Sequence, residues 1–263
     1  MYYLRLICSF IRASIQEEMA YATNFYISLL QSLLNFVTGV VSLIILFNQV
    51  NTIHGWTFAS TLALLGVYLL LNALRNLFIG PSLESLAGLH GDIWQGRFDF
   101  TLLRPVNAQF LVSVRVWRIF STIDALLGGS TLLIASISLR HTLSWTHLFA
   151  LLVALGAGTL TLYSILLVFA ALLFWSPGFL FTWVFDALFQ TARYPVGLYP
   201  NWLRFVLTWI VPVGVMTTVP AQALTGELSP FALTGSVVVA LVLFAGATTL
   251  FQYGLRRYGS ASS

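Results

Sequence analysis

Prolines interrupt an apolar stretch between Tyr194 and Gly226, at positions 195, 200, 212 and 220. Because proline lacks a backbone donor and clashes with the preceding helical turn, no single straight helix runs through it. The uninterrupted piece, Asn201–Val211, would span roughly 16 Å as a helix, about half of a ~30 Å hydrocarbon core. A short apolar helix turned back by prolines favours a re-entrant hairpin, since broken backbone at membrane depth needs protein or water around it. We therefore interpret 195–226 as a re-entrant pair lining or gating a pathway; two interfacial helices without a gating role are the alternative.

The whole chain has the composition of an integral membrane protein. Of its residues 59% are hydrophobic and 8% charged, whereas soluble domains carry about 25% charged residues. We predict an all-α integral membrane protein in which residues 1–263 form a single transmembrane domain. The one cysteine, Cys8, excludes an internal disulfide and a cysteine-based metal cluster.

The chain contains no lysine, so its positive charge comes from arginine alone. A P-loop requires a lysine on the nucleotide phosphates, so this chain cannot be a P-loop ATPase. A lysine Schiff base is excluded for the same reason. The arginines are scattered among apolar segments, which indicates membrane orientation rather than nucleic-acid binding.

Residues 1–23 place apolar side chains at helical spacing, interrupted by Arg5, Arg12, Glu17 and Glu18. This pattern predicts an amphipathic helix in the membrane interface; the charges leave no apolar core for a signal peptide, which is the alternative. Six transmembrane helices are then predicted, at Asn24–Phe47, Trp56–Phe78, Arg118–Leu139, Trp145–Phe174, Gly178–Tyr194 and Phe231–Tyr253.

Arginine placement predicts the orientation of these spans. With the N-terminus in the cytoplasm, the outer arginines are Arg140, Arg193 and Arg204, and the other nine lie inside or at inner helix ends. The positive-inside rule therefore favours two cytoplasmic termini, which agrees with six spans.

The connection 79–117 is the only sizeable segment predicted to lie outside the membrane. Pro81–Glu84 is typical of a helix start, and Gly88, Gly91 and Gly96 permit tight turns. We expect a short amphipathic coupling helix that a soluble partner contacts; a plain polar connector is the alternative.

The order of these elements resembles the membrane subunits of ABC-2-type exporters. GDIWQGRFDFTLLRPVNAQF is similar to the D-x-x-L-L-R-P signature of a bacterial subfamily, through Gly96, Asp99, Leu102, Leu103, Arg104 and Pro105. RYPVGLYPNWLRFVLTWIVPVGVMTTVPAQAL is similar to its Y-P-x-x-x-Y-P signature, through Tyr194, Pro195, Tyr199, Pro200, Leu203, Arg204, Pro212, Pro220 and Ala221.

The resemblance implies a permease subunit in the bacterial inner membrane. It implies a second permease, identical or paralogous, two copies of a separate ABC ATPase that hold ATP and Mg, and contact with membrane lipid. It assigns ATPase coupling to Glu84, Asp92, Gly96, Arg97, Asp99, Leu102, Leu103, Arg104 and Pro105. It assigns the pathway and gate to Tyr194, Pro195, Tyr199, Pro200, Arg204, Pro212 and Pro220. ATP-driven closure of the ATPases would push on 81–105 and tilt spans 1, 2 and 5.

Two carboxylates, Asp124 and Asp186, fall inside predicted spans. A charge at the bilayer centre costs ~2.5–3.5 kcal/mol on insertion scales and faces a partner or a cavity. They either recognise a cation or pair with one of Arg75, Arg115, Arg118 and Arg193. The histidines show no metal spacing, and we predict neither a metal, a cofactor nor a catalytic residue on this chain. An ATP-independent channel or secondary carrier is the alternative function.

Overall fold

The computed structural model describes residues 2–20, 22–139, 144–179 and 181–259. Over these residues it is all-helical apart from an isolated bridge between Ile53 and Trp56, so the all-α class is confirmed. The α-helices are α1 Tyr2–Met19, α2 Ala22–Gln49, α3 Phe58–Leu74, α4 Gly80–Glu84, α5 Phe98–Leu102, α6 Ala108–Val114, α7 Thr122–Ser138, α8 Trp145–Leu172, α9 Phe181–Gln190, α10 Asn201–Phe205, α11 Val219–Thr225 and α12 Pro230–Arg257.

Five helices are long and apolar enough to cross a membrane, among the residues that the structure describes. They are Thr23–Gln49, Phe58–Glu84, Ile119–Ser138, Trp145–Leu172 and Pro230–Arg257. These correspond to predicted spans 1, 2, 3, 4 and 6. A sixth is present only if the bent pair Asn201–Ile210 and Gly214–Thr225 counts as one span.

The prediction of a span over Gly178–Tyr194 is wrong in extent. Among the described residues of that range, α-helix extends over Phe181–Gln190, which gives a length of about 15 Å, half of what a membrane core requires. A 3₁₀ turn follows, and Tyr194 is extended at φ −124° and ψ 151°. The residue before a proline is pushed out of the helical region, so Pro195 ends this helix early.

Helix α3 occupies the centre of the structure. In the most apolar stretch of the span that contains α3, 67% is buried inside the protein, compared with 17% in the spans formed by α2 and by α12. It packs closely on α7 at Gly128, where a Cβ atom would lie 2.7 Å from the backbone nitrogen of Leu70. Only glycine allows this approach of two helix backbones. The close contact therefore depends on Gly128, whereas a Cβ atom on the neighbouring Gly129 would contact nothing within 4 Å.

Helix α8 packs along α12 and also contacts the proline-broken segment. A Cβ atom on Gly158 would lie 2.8 Å from the carbonyl oxygen of Met216, whereas one on Gly156 would contact nothing within 4 Å. Of these two glycines, Gly158 is the one that the close packing requires.

Helix α3 does not end at Phe78 as predicted. A π-helical turn, Arg75–Ile79, joins it to α4, so Pro81 lies inside a continuous helix and the predicted helix start there is wrong. Proline leaves the carbonyl four residues earlier without its usual donor. Here that carbonyl, on Leu77, accepts the N–H of Arg118 at 2.7 Å. The residues before α7 are therefore attached to the end of α3.

Candidate functional site

The loop between α4 and α6 folds around the carboxylate of Asp92, which is 2% exposed. Arg97 Nε lies 3.0 Å from Asp92 Oδ1, and Arg115 Nη2 lies 2.5 Å from Asp92 Oδ2. Arg97 also donates to the carbonyl of His90 at 2.8 Å. A buried carboxylate requires such partners because desolvation disfavours its charge. The loop is therefore an ordered unit, and Gly96 provides its turn with a φ of 69°.

Phe98 anchors this loop to the membrane helices. Its side chain is fully buried, with ring centroids 5.5 Å from Phe174 and 5.2 Å from Tyr258, which lie just beyond the ends of α8 and α12. Burial, together with the neighbouring Asp99 carboxylate, raises the pKa of Tyr258 to about 12. The predicted coupling residue Asp99 thus faces the segment that follows α12.

Five large apolar side chains are exposed on the same loop; we call this set the apolar tip. Its members, with their exposed fractions, are Leu89 63%, Trp94 53%, Phe100 68%, Leu102 43% and Leu103 80%. Arg104 and Pro105 are exposed beside them. Several large apolar side chains exposed on one short loop make it a candidate interaction site.

The predicted coupling residues therefore fall into separate groups. Leu102, Leu103, Arg104 and Pro105 are on the surface, while Asp92, Gly96 and Arg97 shape the loop beneath it. Glu84 belongs to neither group, because its carboxylate lies 3.1 Å from Arg75 in an ion pair at the end of the α3–α4 helix.

Helix α6 continues from the loop and is hydrogen-bonded to two membrane helices. Gln109 Nε2 donates to Thr248 Oγ1 on α12 at 3.1 Å and to the Tyr163 hydroxyl on α8 at 3.3 Å. Ser113 Oγ and the same Tyr163 hydroxyl are 2.7 Å apart. A displacement of the loop would therefore reach the α8–α12 pair directly.

The residues between α6 and α7 are held from two sides. Ser82 Oγ exchanges hydrogen bonds with the backbone of Val116 at 2.8 and 3.0 Å. From α1, Ser14 Oγ accepts the N–H of Trp117 at 3.1 Å, and Glu18 Oε2 accepts that of Ile119 at 2.7 Å. Burial raises the pKa of Glu18, while its backbone donors act in the opposite direction. This connection therefore joins α1, α3 and α7 to the loop.

The proline-broken segment confirms the predicted interruption. Helix α10 runs on as a π turn to Ile210, and the following arm, Gly214–Thr225, is bent from it by 76° around Pro212. The segment is therefore an elbow rather than a tight antiparallel hairpin. Pro220 does not break its arm: like Pro81, it lies just after a π turn, here Gly214–Thr218, within a continuous helix.

The other predicted gate residues stabilise the turns before the elbow. The Tyr199 hydroxyl donates to the carbonyl of Thr191 at 2.8 Å. The Arg204 guanidinium donates to the carbonyls of Gly197 and Tyr199. Pro195 and Pro200 directly precede a 3₁₀ turn and α10, and Tyr194 precedes Pro195. These contacts hold the backbone where regular helix is lost.

A polar cavity of about 190 Å³ lies between α2, α3 and α9. Its polar lining includes Asn35 on α2; Tyr68, Asn72, Arg75 and Asn76 on α3 and its π turn; and Asp186, Gln190 and Arg193 on α9 and the turn that follows. Arg75 lies 2.8 Å from Asp186 and 3.1 Å from Glu84. The predicted pairing of Asp186 with an arginine is thereby confirmed.

A second cavity, of about 230 Å³, shares Asn35 and Asn76 with the first. Asp124, Arg118 and four further polar residues complete its lining: Ser28, Gln31, Ser32 and Ser121. Asp124 is 9% exposed, and among the described residues no arginine or histidine nitrogen lies within 4.0 Å of its carboxylate. The predicted pairing is therefore absent for Asp124, which faces a cavity instead.

Arg193 lies beside the middle of the membrane helices, and its predicted outer position is wrong. Its guanidinium contacts Asn35 and Tyr68, which lie near the centres of two candidate spans. The error arose because 178–194 was interpreted as a complete span. Arg140 and His141 lie outside the described residues. Within these residues, no group of three or more potential metal ligands is present.

The profile of the ABC-2 family transporter proteins matches residues 33–262. This chain belongs to the ABC-2 transporter family. It is thus a multi-pass transmembrane permease, of a family whose membrane components lack an ATPase site and generally work with an ABC ATPase. No curated protein matches the chain.

The sequence reasoning missed a polar stripe on α2 of this ABC-2 permease. Polar residues recur there every three or four positions, at Asn24, Ser28, Gln31, Ser32, Asn35, Thr38 and Ser42. This periodicity places them along one side of the helix, and four of them line the second cavity. The spacing of these polar residues could have been read from the sequence, but the high average hydropathy of the span masks it.

Proposed function

We propose that the chain is the permease subunit of an ATP-driven exporter and that the apolar tip docks on a separate ABC ATPase. Family membership supports the class of machine. The single observation that carries the docking proposal is the position of the apolar tip on an ordered loop, which the proposal places on the cytoplasmic side. Several large exposed apolar side chains on one ordered loop fit a protein partner better than a plain connector.

The hydrogen bonds of the loop support a route from the ATPase to the membrane helices. A force on the apolar tip would be transmitted through α6 to Tyr163 on α8 and Thr248 on α12. Through residues 116–120, which connect α6 and α7, it would also reach α1, α3 and α7. In this proposal the ATPase therefore moves α8 and α12 as well as spans 1 and 2. ATP and Mg would be held on two ATPase copies, and ATP must favour one arrangement of the helices over the other for this to drive transport.

The pathway in this proposal follows the polar cavities and the elbow. A second permease, identical or paralogous, would face the open side of α2, with both termini cytoplasmic in a bacterial inner membrane. Regular backbone is lost at the elbow, and such a break is tolerated where it lines a cavity.

The proposal is tested by purifying the chain in mild detergent and quantifying a co-purified ATPase by mass spectrometry. Replacing an exposed apolar anchor at an interface costs about 1–2 kcal/mol, so Leu103→Ala should weaken ATPase binding roughly 5- to 30-fold. Trp145→Ala is the matched control, because Trp145 is 86% exposed at the opposite end of α8. Absence of any ATPase from the unaltered chain, or equal loss in both variants, would contradict the proposal.

A further inference from the structure

The two arginines of the cavity between α2, α3 and α9 differ in their counter-ions. Arg75 is bracketed by two carboxylates, those of Asp186 and Glu84. Among the described residues, no carboxylate lies within 4.0 Å of Arg193. Its contacts are one hydrogen bond from Nη2 to Asn35 Oδ1 at 3.2 Å and a cation–π contact 5.2 Å from the Tyr68 ring centroid.

Arg193 therefore keeps unused capacity for an anion. A guanidinium has five N–H donors in a planar fork that matches carboxylate and phosphate. Its Nε is buried and donates to no group among the described residues. An arginine beside membrane helices is costly unless its charge is paired, and its cation–π contact with Tyr68 offsets only part of that cost. An anionic ligand would supply the missing counter-charge.

The shape of the cavity indicates which part of a ligand enters. At about 190 Å³ it is smaller than the ~300–1,000 Å³ of sites that enclose a whole small molecule. Asn35 is exposed, and α2 presents apolar side chains such as Leu34 at 54% exposure and Val37 at 49%. A polar headgroup would thus enter the cavity while an attached alkyl chain remained on apolar surface. Because Asp186 and Glu84 already neutralise Arg75, Arg193 and not Arg75 is the cation that attracts an anion.

We propose that Arg193, together with Asn35 and Gln190, binds the anionic group of the transported amphiphile. That this amphiphile is transported rests on the function proposed above, whereas its binding at Arg193 does not. The chemistry recognised is a phosphate or carboxylate at the end of an apolar chain.

The test measures binding of dodecyl [³²P]phosphate to the purified full chain, without any ATPase, by scintillation proximity in a neutral maltoside detergent. We expect saturable binding that weakens at least about tenfold in Arg193→Gln, through loss of a charge-assisted contact. Arg193→Lys should retain most of it. Arg256→Gln is the matched control, because Arg256 is exposed at the end of α12.

A second variant keeps the proposal testable if Arg193→Gln fails to fold. Asn35→Asp is nearly isosteric and places a carboxylate on Arg193, so it should abolish dodecyl phosphate binding while raising thermal stability. A residue with only a structural role would not produce this pair of results.

Competition identifies the source of the anion. Dodecyl phosphate competing far better than inorganic phosphate supports an amphiphile, and equal competition supports a site for a small free anion. Binding that is absent, insensitive to both variants, or displaced equally by dodecyltrimethylammonium would overturn the proposal. Because no ATPase is present, these outcomes are independent of whether an ATPase co-purifies.

Discussion

Phe98→Ala should release the loop between α4 and α6 from the membrane helices. Phe98 is fully buried between Phe174 and Tyr258. Truncating a buried phenylalanine costs about 3–5 kcal/mol, through lost burial and the cavity left behind. If this cost falls on local opening of the loop, the open population rises at least about 100-fold, because 1.4 kcal/mol corresponds to a factor of ten.

Limited trypsin digestion measures this opening. The chain contains no lysine, so trypsin cleaves only after arginine, and Pro105 protects the bond after Arg104. Cleavage after Arg97, which directly precedes Phe98, therefore reports on the loop and is quantified by mass spectrometry. When opening is fast relative to cleavage, its rate follows the open population, so it should also rise about 100-fold.

Phe100→Ala is the matched control, since it is the same substitution two residues away on a ring that is 68% exposed. It should leave the cleavage rate within about threefold of the unaltered chain, as surface substitutions shift stability by only ~0.5 kcal/mol. Equal rates for Phe98→Ala and Phe100→Ala would refute the assignment of Phe98 as the anchor.

Three further predictions concern the helices. Gly158→Ala should lower the free energy of unfolding by about 1–3 kcal/mol through overpacking, whereas Gly156→Ala, which meets open space, should not; equal effects in thermal melts would contradict the packing. Arg75→Gln should cost about 3–5 kcal/mol because it strands two carboxylates, whereas Asp186→Asn should cost under about 1 kcal/mol, since that side chain is 39% exposed and the other carboxylate remains; denaturant titration compares them. Burial raises the pKa of Glu18 in the folded state. Between the ordinary glutamate pKa and this raised pKa, the folded state therefore binds more protons than the unfolded state. The stability contributed by Glu18 is thus present below this pH range and falls as the pH rises through it. The melting temperature of the unaltered chain relative to Glu18→Gln should therefore increase on acidification from neutral pH, and a constant difference would contradict this.

Hydropathy was sufficient to predict the helical class and five of the spans, because a membrane-crossing helix of about 20 apolar residues is a local property. The proline break was also predictable, since a missing donor acts on its own turn. The length of α9 was not, because its apolar residues and polar side chains are interleaved. Hydropathy averages over a window and does not distinguish a span from a short helix beside a cavity.

The contacts of the candidate sites depend on tertiary structure. Nothing local distinguishes Phe98, which is buried, from Phe100, which is exposed. The continuation of α3 past Pro81 was missed because the carbonyl of Leu77 is satisfied by Arg118, 41 positions along the chain. The pairing of Asp186 was one of several alternatives in sequence and was decided by the position of Arg75 on α3.

Site-directed crosslinking in membranes tests the central proposal most directly. In a Cys8→Ser background, a cysteine-reactive photocrosslinker is attached at Leu103→Cys in the apolar tip or at Trp145→Cys at the opposite end of α8, both highly exposed positions. We expect position 103 to crosslink to an ABC ATPase, identified by mass spectrometry, and position 145 not to do so. Adducts at 103 that contain lipid or this chain alone, with no ATPase, would contradict it.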